Sequence, residues 1–280
     1  MKIAVTGSSG FIGSKLVKKL HYNGYDVIEL SREKGLDICK WNSVKDVPPC
    51  NVIVHLAAKT FVPDSFENPR QFYHVNQTAT LHSLELARKW GAKMIYMSSY
   101  FYGAPQYLPV DESHPLNPHN PYAQTKQISE LLCEGYQRDF DVQTIIFRLF
   151  NIYGPGQGGD FLIPTILKQL NNGKIILKDP RPRRDYIHID DVISGIILGI
   201  KFKDLGFQRF NLGTGISYSV DELVNFVKKY SDPTPNVVYT HEQRKGEVLD
   251  SVADISMAKE KLGWSPEITL EQGIRGLLSS

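Results

Sequence analysis

Short, almost continuously apolar runs that alternate with helical patterns constrain the fold of this chain more than any other feature. The runs are rich in β-branched residues and cover residues 2–7, 25–31, 51–58, 93–99 and 143–150. Such runs are typical of strands that are buried on both faces of a parallel sheet. Helical patterns fill the gaps at 11–23, 70–90 and 122–139. The alternation predicts an α/β fold with a doubly wound parallel sheet.

The helix predicted at 122–139 carries one apolar stripe. Its members recur at helical spacing and are Ile128, Leu131, Leu132, Gly135 and Tyr136. Residues at these spacings share one face of a helix, so we expect this stripe to be the buried face.

The character of the sequence changes after Phe150. Residues 151–160 are rich in glycine, and residues 178–185 are rich in proline and arginine. Further segments with a buried or amphipathic pattern lie at 186–200, 209–215, 219–230 and 254–264. We predict a first domain of residues 1–150 with about 187–213, and a smaller C-terminal α/β lobe of residues 151–186 and 214–280.

The composition argues against several function classes. The 280 residues carry a net charge of +2 with acids and bases interspersed, so no basic stripe indicates nucleic-acid binding. Cys39, Cys50 and Cys133 are odd in number and lack C-x-x-C spacing, which argues against disulfides and zinc and favours a reducing compartment. No signal peptide or membrane span is evident, so we expect a soluble, cytoplasmic protein.

A metal site is not predicted. His55, His188, Asp190 and Asp191 are residue types that bind metals, but their positions show no ligand spacing. Histidines at strand ends more often make structural hydrogen bonds, and we assign them that role.

A glycine-rich turn follows the first predicted strand. The segment reads VTGSSGFIG and places Gly7, Gly10 and Gly13 between that strand and the first helix. Gly7 permits a tight turn, Gly10 lets the backbone approach a pyrophosphate, and Gly13 allows close packing of helix on strand. The N-terminus of the helix supplies N–H donors and the positive end of its dipole. The turn therefore predicts dinucleotide binding.

The spacing of these glycines, G-x-x-G-x-x-G, resembles that of the extended short-chain dehydrogenase/reductase family, and within it the nucleotide-sugar epimerases, dehydratases and reductases. The resemblance extends over essentially the whole chain. It runs through HLAA (55–58), SSYFYG (98–103), PYAQTK (121–126), RLFNIYGPGQ (148–157), RRDYIHIDDV (183–192), FNLGTG (210–215) and LGW (262–264). The resemblance implies a Rossmann-type sheet and a second lobe that binds a nucleoside-diphosphate sugar.

The resemblance also implies a catalytic triad. Tyr122 and Lys126 match the family's Y-x-x-x-K, and Pro121 fits the first turn of the helix that carries them on one face. Tyr122 is the implied acid/base, and we expect the Lys126 ammonium and an oxidised nicotinamide to lower its pKa. Ser98 is the implied third member, and its hydroxyl would hydrogen-bond the reacting sugar oxygen.

Binding residues follow from the same match. The implied cofactor contacts are Gly7, Gly10, Phe11, Ile12, Gly13, Ser31, Arg32, Asp37, Ile38, Leu56, Ala57, Ala58, Tyr122, Lys126 and Phe150. The implied substrate contacts are Ser98, Tyr122, Asn151, Arg184 and Arg244. The two arginines match family residues that grip nucleotide and diphosphate, a task that suits a forked, permanently charged guanidinium.

The end of the second strand bears on the choice of cofactor. NAD-preferring relatives place an acid there, on the ribose 2′-hydroxyl, whereas this chain has the neutral Ser31 followed by Arg32. Glu29 lies two residues too early to take that place. A small hydroxyl beside a guanidinium can accept a 2′-phosphate, so we favour NADP(H) over NAD(H).

Three functions remain open. The first is an NADPH-dependent 4-ketoreductase of a nucleotide-linked sugar, favoured by Arg32. The second is a nucleotide-sugar 4-epimerase that retains its cofactor, and the third is a non-catalytic dinucleotide sensor. Ser99 and Tyr100 stand where the family's 4,6-dehydratases carry an Asp–Glu pair, which argues against dehydration. A family tendency to pair helices, here 70–90 and 122–139, suggests a homodimer.

Overall fold

The structure, a computed structural model, describes residues 1–100, 103–204, 206–243 and 246–279. Its strands are β1 (Lys2–Thr6), β2 (Asp26–Leu30), β3 (Val52–His55), β4 (Lys93–Ser99), β5 (Thr144–Leu149), β6 (Asn151–Tyr153), β7 (Lys174–Leu177), β8 (Arg183–His188), β9 (Phe207–Leu212), β10 (Ser217–Ser219) and β11 (Asn236–Tyr239). Its helices are α1 (Phe11–Tyr22), α2 (Trp41–Val44), α3 (Val62–Glu67), α4 (Pro69–Trp90), α5 (Pro121–Phe140), α6 (Leu162–Leu170), α7 (Ile189–Lys201), α8 (Val220–Tyr230), α9 (Ser256–Leu262) and α10 (Leu270–Leu278).

The central sheet has six strands in the order β2-β1-β3-β4-β5-β9. The pairings among the first five strands are parallel, and every strand that the apolar runs predicted is present. The chain adds β2 on one side of β1 and β3 on the other. The direction of winding therefore reverses between β1 and β3, at the type of position where doubly wound sheets bind ligands. The predicted doubly wound, Rossmann-type fold is confirmed.

The chain divides into two compact units. The first contains Met1–Gly103, Pro115–Leu149 and Ile193–Phe210, and the second contains Ala104–His114, Phe150–Val192 and Asn211–Ser280. This division differs from the predicted one mainly at residues 104–114, which the sequence analysis assigns to the first domain, and the later segment of the first unit is Ile193–Phe210 rather than about 187–213. Backbone hydrogen bonds explain why residues 104–114 belong to the second unit. The Val110 nitrogen donates to the carbonyl oxygen of Val252, and the Val110 carbonyl oxygen accepts from the nitrogen of Asp254.

The buried face of α5 coincides only in part with the apolar stripe that the sequence predicted. Leu131, a member of that stripe, is 59% exposed. The buried residues of the helix are instead largely polar: Ala123, Thr125, Lys126, Ser129, Glu130 and Cys133. Their polar groups find partners on neighbouring elements, for example Asn76 on α4, whose Nδ2 donates to Thr125 Oγ1 at 2.8 Å. The stripe prediction holds in part: Leu132 and Tyr136 pack against the apolar core, whereas Leu131 is exposed and paired polar groups take the other buried positions.

The second unit has its own sheets and core. Strands β10-β8-β6 form one sheet, and β11 pairs with β7 in another. An apolar core joins these strands to α6, α8 and α10 through residues such as Ile166, Ile175, Leu223 and Ile274. Capping boxes begin both α8, at Ser219, and α10, at Thr269. Within the described ranges, no helix is both long and apolar enough to cross a membrane.

Candidate active site

The glycine turn lies at the end of β1, beside the reversal point of the sheet. Gly7 has a φ of +66°, and a Cβ there would lie 2.9 Å from the backbone nitrogen of Ala57. A Cβ on Gly13 would lie 2.1 Å from the carbonyl oxygen of Gly7. Only glycine fits both positions, because a side chain at either would collide with backbone. Phe11 and Ile12 form the first turn of α1, which Gly10 begins with no side-chain cap.

A buried polar network supports this turn and the loop that follows β3. Thr6 Oγ1 accepts hydrogen bonds from the backbone nitrogens of Leu56 at 3.1 Å and Ala57 at 3.2 Å. Thr6 Oγ1 also lies 2.6 Å from Nδ1 of His55. Burial lowers the pKa of His55 to about 3, with a further contribution from the charge of Lys126. The sequence analysis missed Thr6, whose sole signal was its place before Gly7.

The residues at this edge fit a dinucleotide. The hydroxyl oxygens of Ser8 and Ser31 are buried and have no hydrogen-bond partner among the residues that the structure describes. Buried polar atoms are normally paired, so both hydroxyls could serve a polar ligand. Ser31 directly follows β2, and the neighbouring Arg32 is exposed. The half-buried loop Leu56–Ala58 lies across the turn from these residues.

Asp37 and Ile38 lie in the turn after β2. Asp37 Oδ1 accepts from the backbone nitrogen of Cys39 at 3.0 Å, so this carboxylate shapes the turn itself. Ile38 is buried, and its carbonyl oxygen lies 2.7 Å from Nδ1 of His82 on α4. Glu29 forms an ion pair with Lys34, whose Nζ lies 3.6 Å from Glu29 Oε1.

Tyr122 and Lys126 lie in the first turns of α5, close to the end of β4. The helix starts at Asn120, whose Oδ1 accepts from the nitrogen of Ala123 at 2.8 Å, with Pro121 at the first helical position. Lys126 Nζ donates to the carbonyl oxygen of Met97 at 2.7 Å and lies 6.0 Å from the Tyr122 ring centroid. Ser98 follows Met97 directly and is 3% exposed. The structure thus brings the predicted triad together at one strand end.

Burial shifts the pKa values of Tyr122 and Lys126. Burial raises the pKa of Tyr122 to about 12, and a hydrogen bond with Ser99 opposes the rise. Burial lowers the pKa of Lys126 to about 8, against the favourable charge of Glu130. The expected lowering of the Tyr122 pKa by Lys126 and an oxidised nicotinamide stays a prediction, because within the chain alone the loss of hydration raises this pKa.

Two further predicted substrate residues, Asn151 and Arg184, lie in the second unit. Asn151, on β6, donates from Nδ2 to the carbonyl oxygen of Asp185 at 3.2 Å. Arg184, on β8, donates from Nη1 to the carbonyl oxygen of Val248 at 2.6 Å and forms an ion pair with Glu247. Phe150, which was predicted to contact the cofactor, also belongs to the second unit and is 3% exposed. Arg244 lies outside the described residues.

No group of three or more metal-binding side chains occurs in the part of the chain that the structure describes. The two histidines make local contacts. His55 Nε2 lies 3.2 Å from Thr80 Oγ1, and His188 Nδ1 accepts from the backbone nitrogen of Asp190 at 3.3 Å.

Comparison with known proteins gives a consistent result. The model of the NAD dependent epimerase/dehydratase family matches residues 3–213. The UDP-glucose 4-epimerase of Lactobacillus helveticus is 31% identical over 307 residues, covering 95% of this chain and 92% of the relative. The structure of UDP-glucose 4-epimerase from Thermotoga maritima with UDP-glucose has a TM-score of 0.93 at 29% identity, covering 100% of this chain and 98% of the other. The structure of RMD from Pseudomonas aeruginosa complexed with NADPH has a TM-score of 0.91 at 27% identity, covering 99% and 97%.

Proposed function

This chain belongs to the NAD-dependent epimerase/dehydratase family, and we propose that it interconverts two nucleoside-diphosphate sugars that differ in configuration at C4. The observation that carries the proposal is the placement of Lys126, held by the Met97 carbonyl beside Ser98, with the ring of Tyr122 6.0 Å away. The Lactobacillus and Thermotoga relatives, both named UDP-glucose 4-epimerases, make a UDP-hexose the first substrate to test.

The proposed chemistry assigns a role to each side chain of the triad. The Tyr122 oxygen takes the proton of the C4 hydroxyl as the C4–H bond breaks and its electron pair leaves as hydride. The Ser98 hydroxyl hydrogen-bonds the oxygen that becomes the carbonyl. Lys126 supplies a fixed positive charge that favours the tyrosinate. Tyr122 returns the proton to O4 once the keto sugar has presented its other face.

The glycine turn, Ser8, Ser31 and the loop after β3 would hold the cofactor. When bound, the oxidised dinucleotide supplies the hydride acceptor, and its reduced form is the donor for the second half of the reaction. Because the hydride returns to the same carbon, no coenzyme is consumed.

The second unit would hold the nucleotide part of the substrate. Arg184 presents a guanidinium whose side chain is 14% exposed, and Asn151 presents a side-chain amide from the neighbouring strand. We assign the substrate diphosphate to these two residues together with Arg244. The domain roles predicted from the sequence, cofactor in the first and sugar nucleotide in the second, are part of this proposal.

Epimerisation replaces the ketoreductase that the sequence analysis placed first. The relatives named above favour it, whereas the argument for reduction depended on Ser31 and Arg32 alone. That observation keeps the reductase as a second candidate, because a buried neutral hydroxyl beside an exposed guanidinium suits a 2′-phosphate. RMD, with its bound NADPH, shows that the fold also takes the phosphorylated cofactor.

A homodimer is part of the proposal. Leu81 on α4 is 40% exposed and Leu131 on α5 is 59% exposed, and the two helices lie side by side. A second copy would cover these side chains with its own α4 and α5. Light scattering should give the mass of a dimer for the wild-type chain and that of a monomer for Leu131→Glu.

One experiment separates the candidates. The purified chain is incubated with UDP-glucose, and in parallel with other sugar nucleotides, while proton NMR follows the sugar and absorbance follows the cofactor. Epimerisation predicts a mixture of two C4 epimers without net change in the cofactor. Stoichiometric oxidation of NADPH by a 4-keto-6-deoxy sugar nucleotide would support the reductase, and absence of both reactions would refute both.

A further inference from the structure

A buried ion pair lies near Lys126 and has no role in the chemistry proposed above. Arg148 Nε donates to Glu130 Oε1 at 3.1 Å, and Arg148 Nη2 donates to Glu130 Oε2 at 2.8 Å. The two side chains are 4% and 2% exposed. The contact is therefore bidentate and almost completely removed from water.

The pair connects the helix of the triad to the strand beside Ser98. Glu130 follows Lys126 by four residues on α5, which places both side chains on one face of the helix. Lys126 is itself 4% exposed. Arg148 lies on β5, where it is the register partner of Ser98 on β4. Three charged side chains, those of Lys126, Glu130 and Arg148, are therefore buried on α5 and β5 beside the proposed active site.

Stability alone does not account for this arrangement. The free energy lost when a carboxylate and a guanidinium leave water offsets much of the free energy gained from their attraction. Proteins in which apolar side chains of similar volume replace such a pair are often as stable. A carboxylate close to a buried ammonium does have an electrostatic consequence, because it favours the charged form of the amine. Burial lowers the pKa of Lys126 and Glu130 opposes that effect.

We propose that the Glu130–Arg148 ion pair is a positioning unit for Lys126, in which Glu130 keeps the Lys126 ammonium charged and directed at the Met97 carbonyl, and Arg148 keeps Glu130 ionised and fixed. Glu130 acts through Lys126 and does not contact the sugar. Arg209 on β9 forms a second ion pair with Glu130, since its Nε lies 3.6 Å from Glu130 Oε2. Its Nη2 lies 3.1 Å from Oε2 of Glu134, the next acid along α5. The inference rests on the proposed role of Lys126.

Besides Arg148 and Arg209, the titratable groups that act on Lys126 or lie against it are His55 on β3, Tyr96 on β4, and Tyr122 and Cys133 on α5 itself. Further along α5, Glu85 of α4 is hydrogen-bonded to Tyr136. Helix α4 presents the uncharged Asn76 and Thr80 to this face. Glu130 is buried and lies one helical turn from Lys126.

The test is a titration of Lys126 in the full-length, ligand-free protein. Heteronuclear NMR of the Lys126 ammonium nitrogen and its adjacent methylene gives the midpoint, which is expected near pH 8 in the wild type. Glu130→Gln keeps the size and loses the charge, and should lower the midpoint by about one pH unit or more. Glu130→Asp keeps the charge and should restore most of the shift.

A matched control and a second variant make the test decisive. Asp139→Asn removes an acid that is 47% exposed on the same helix and should leave the midpoint unchanged. If Glu130→Gln does not fold, Glu130→Gln/Arg148→Met, which removes the whole buried pair, is compared with Arg148→Met, so that the two chains differ only in the Glu130 charge and the double variant should have the lower midpoint. An unchanged midpoint in whichever of these variants folds would overturn the inference, whatever happens to thermal stability.

The alkaline limb of the kcat profile gives an independent readout. It should move to lower pH in Glu130→Gln together with the NMR midpoint, because Lys126 then loses its charge earlier. A shifted midpoint in a protein without turnover would refute the proposed function and leave the Glu130–Lys126 coupling intact. Normal turnover with an unshifted midpoint would refute this inference alone.

Discussion

Gly13 packs so closely on Gly7 that a Cβ added to Gly13 would lie 2.1 Å from the Gly7 carbonyl oxygen. Neither partner can move aside easily, because the contact is with backbone and Gly7 itself adopts a φ of +66°. The first turn of α1 and the end of β1 therefore depend on each other for their positions. This relationship gives the cofactor turn its shape before any ligand is present.

Gly13→Ala should weaken dinucleotide binding, because the turn must open to admit the methyl group. We expect affinity to fall by at least about tenfold, a change of roughly 1.4 kcal/mol. Gly276→Ala is the control, since nothing lies within 4 Å of a Cβ there and Gly276 is in a helix. That variant should bind normally. Isothermal calorimetry measures both, and equal affinities would show that the turn does not form the site.

Tyr122→Phe should reduce turnover by about 10²–10⁴-fold while leaving dinucleotide affinity nearly unchanged, because it removes only the proton-transferring oxygen. Burial raises the pKa of Tyr122 to about 12, so we expect a positive charge close to the phenol to favour the tyrosinate. Tyr22→Phe, at a residue that is 84% exposed, is the control. Wild-type turnover in Tyr122→Phe would remove Tyr122 from the proposed chemistry.

The elements and the glycine turn could be predicted because their signals are local. The alternation that produced β1 to β5 lies within each segment, and Gly7, Gly10 and Gly13 are close together in the chain. Tyr122 and Lys126 were predictable for the same reason, since one helical turn fixes their spacing.

The surroundings of these residues were not predictable, because they depend on distant partners. Glu130 is buried since Arg148 meets it from the adjacent strand, and without that partner the sequence suggested that the Leu131 side was buried. The pKa of Tyr122 rises through burial by the folded chain, which no spacing in the sequence reveals. Arg184 likewise finds Glu247 and Val248 more than sixty residues away.

His55 should make the fold sensitive to acid. Its pKa falls from 6.5 to about 3 on folding, so between these values the unfolded chain binds more protons than the native one. Its contribution to stability is fully present above pH 6.5 and is lost as the pH falls towards 3, with a slope of up to about 1.4 kcal/mol per pH unit.

Urea unfolding between pH 4 and pH 7 tests this expectation, with the wild type compared with His55→Gln. The variant should lose part of the pH slope, because glutamine does not titrate. His21→Gln, at an exposed site, should keep the slope of the wild type. Identical slopes for all three chains would mean that His55 does not carry the acid sensitivity.

Arg184→Ala should weaken binding of the sugar nucleotide far more than binding of the dinucleotide. A charge-assisted contact with phosphate contributes about 1.5–3 kcal/mol, which corresponds to a loss of roughly 10- to 100-fold. Arg181→Ala is the control, because Arg181 pairs with Asp179 and its side chain is 59% exposed. Calorimetric titration with UDP and with the cofactor separates the two sites. A loss confined to the cofactor would reverse the assignment of the units.

We expect the end of β2 to determine which form of the cofactor binds. Ser31 is buried, its hydroxyl has no partner among the described residues, and Arg32 is exposed beside it, so a 2′-phosphate would find one donor and one permanent charge. Arg32→Ala should therefore lower NADPH affinity by about tenfold and leave NADH affinity unchanged. Lys34→Ala is the control, since Lys34 forms an ion pair with Glu29 at 3.6 Å.

Ser31→Asp should reverse the preference, because a carboxylate repels the phosphate and accepts from a free 2′-hydroxyl. Fluorescence titration of the four chains with both coenzymes measures this directly. If the wild type binds NADH as tightly as NADPH, and Arg32→Ala changes neither affinity, the sequence argument for the phosphorylated cofactor fails and with it the case for net reduction.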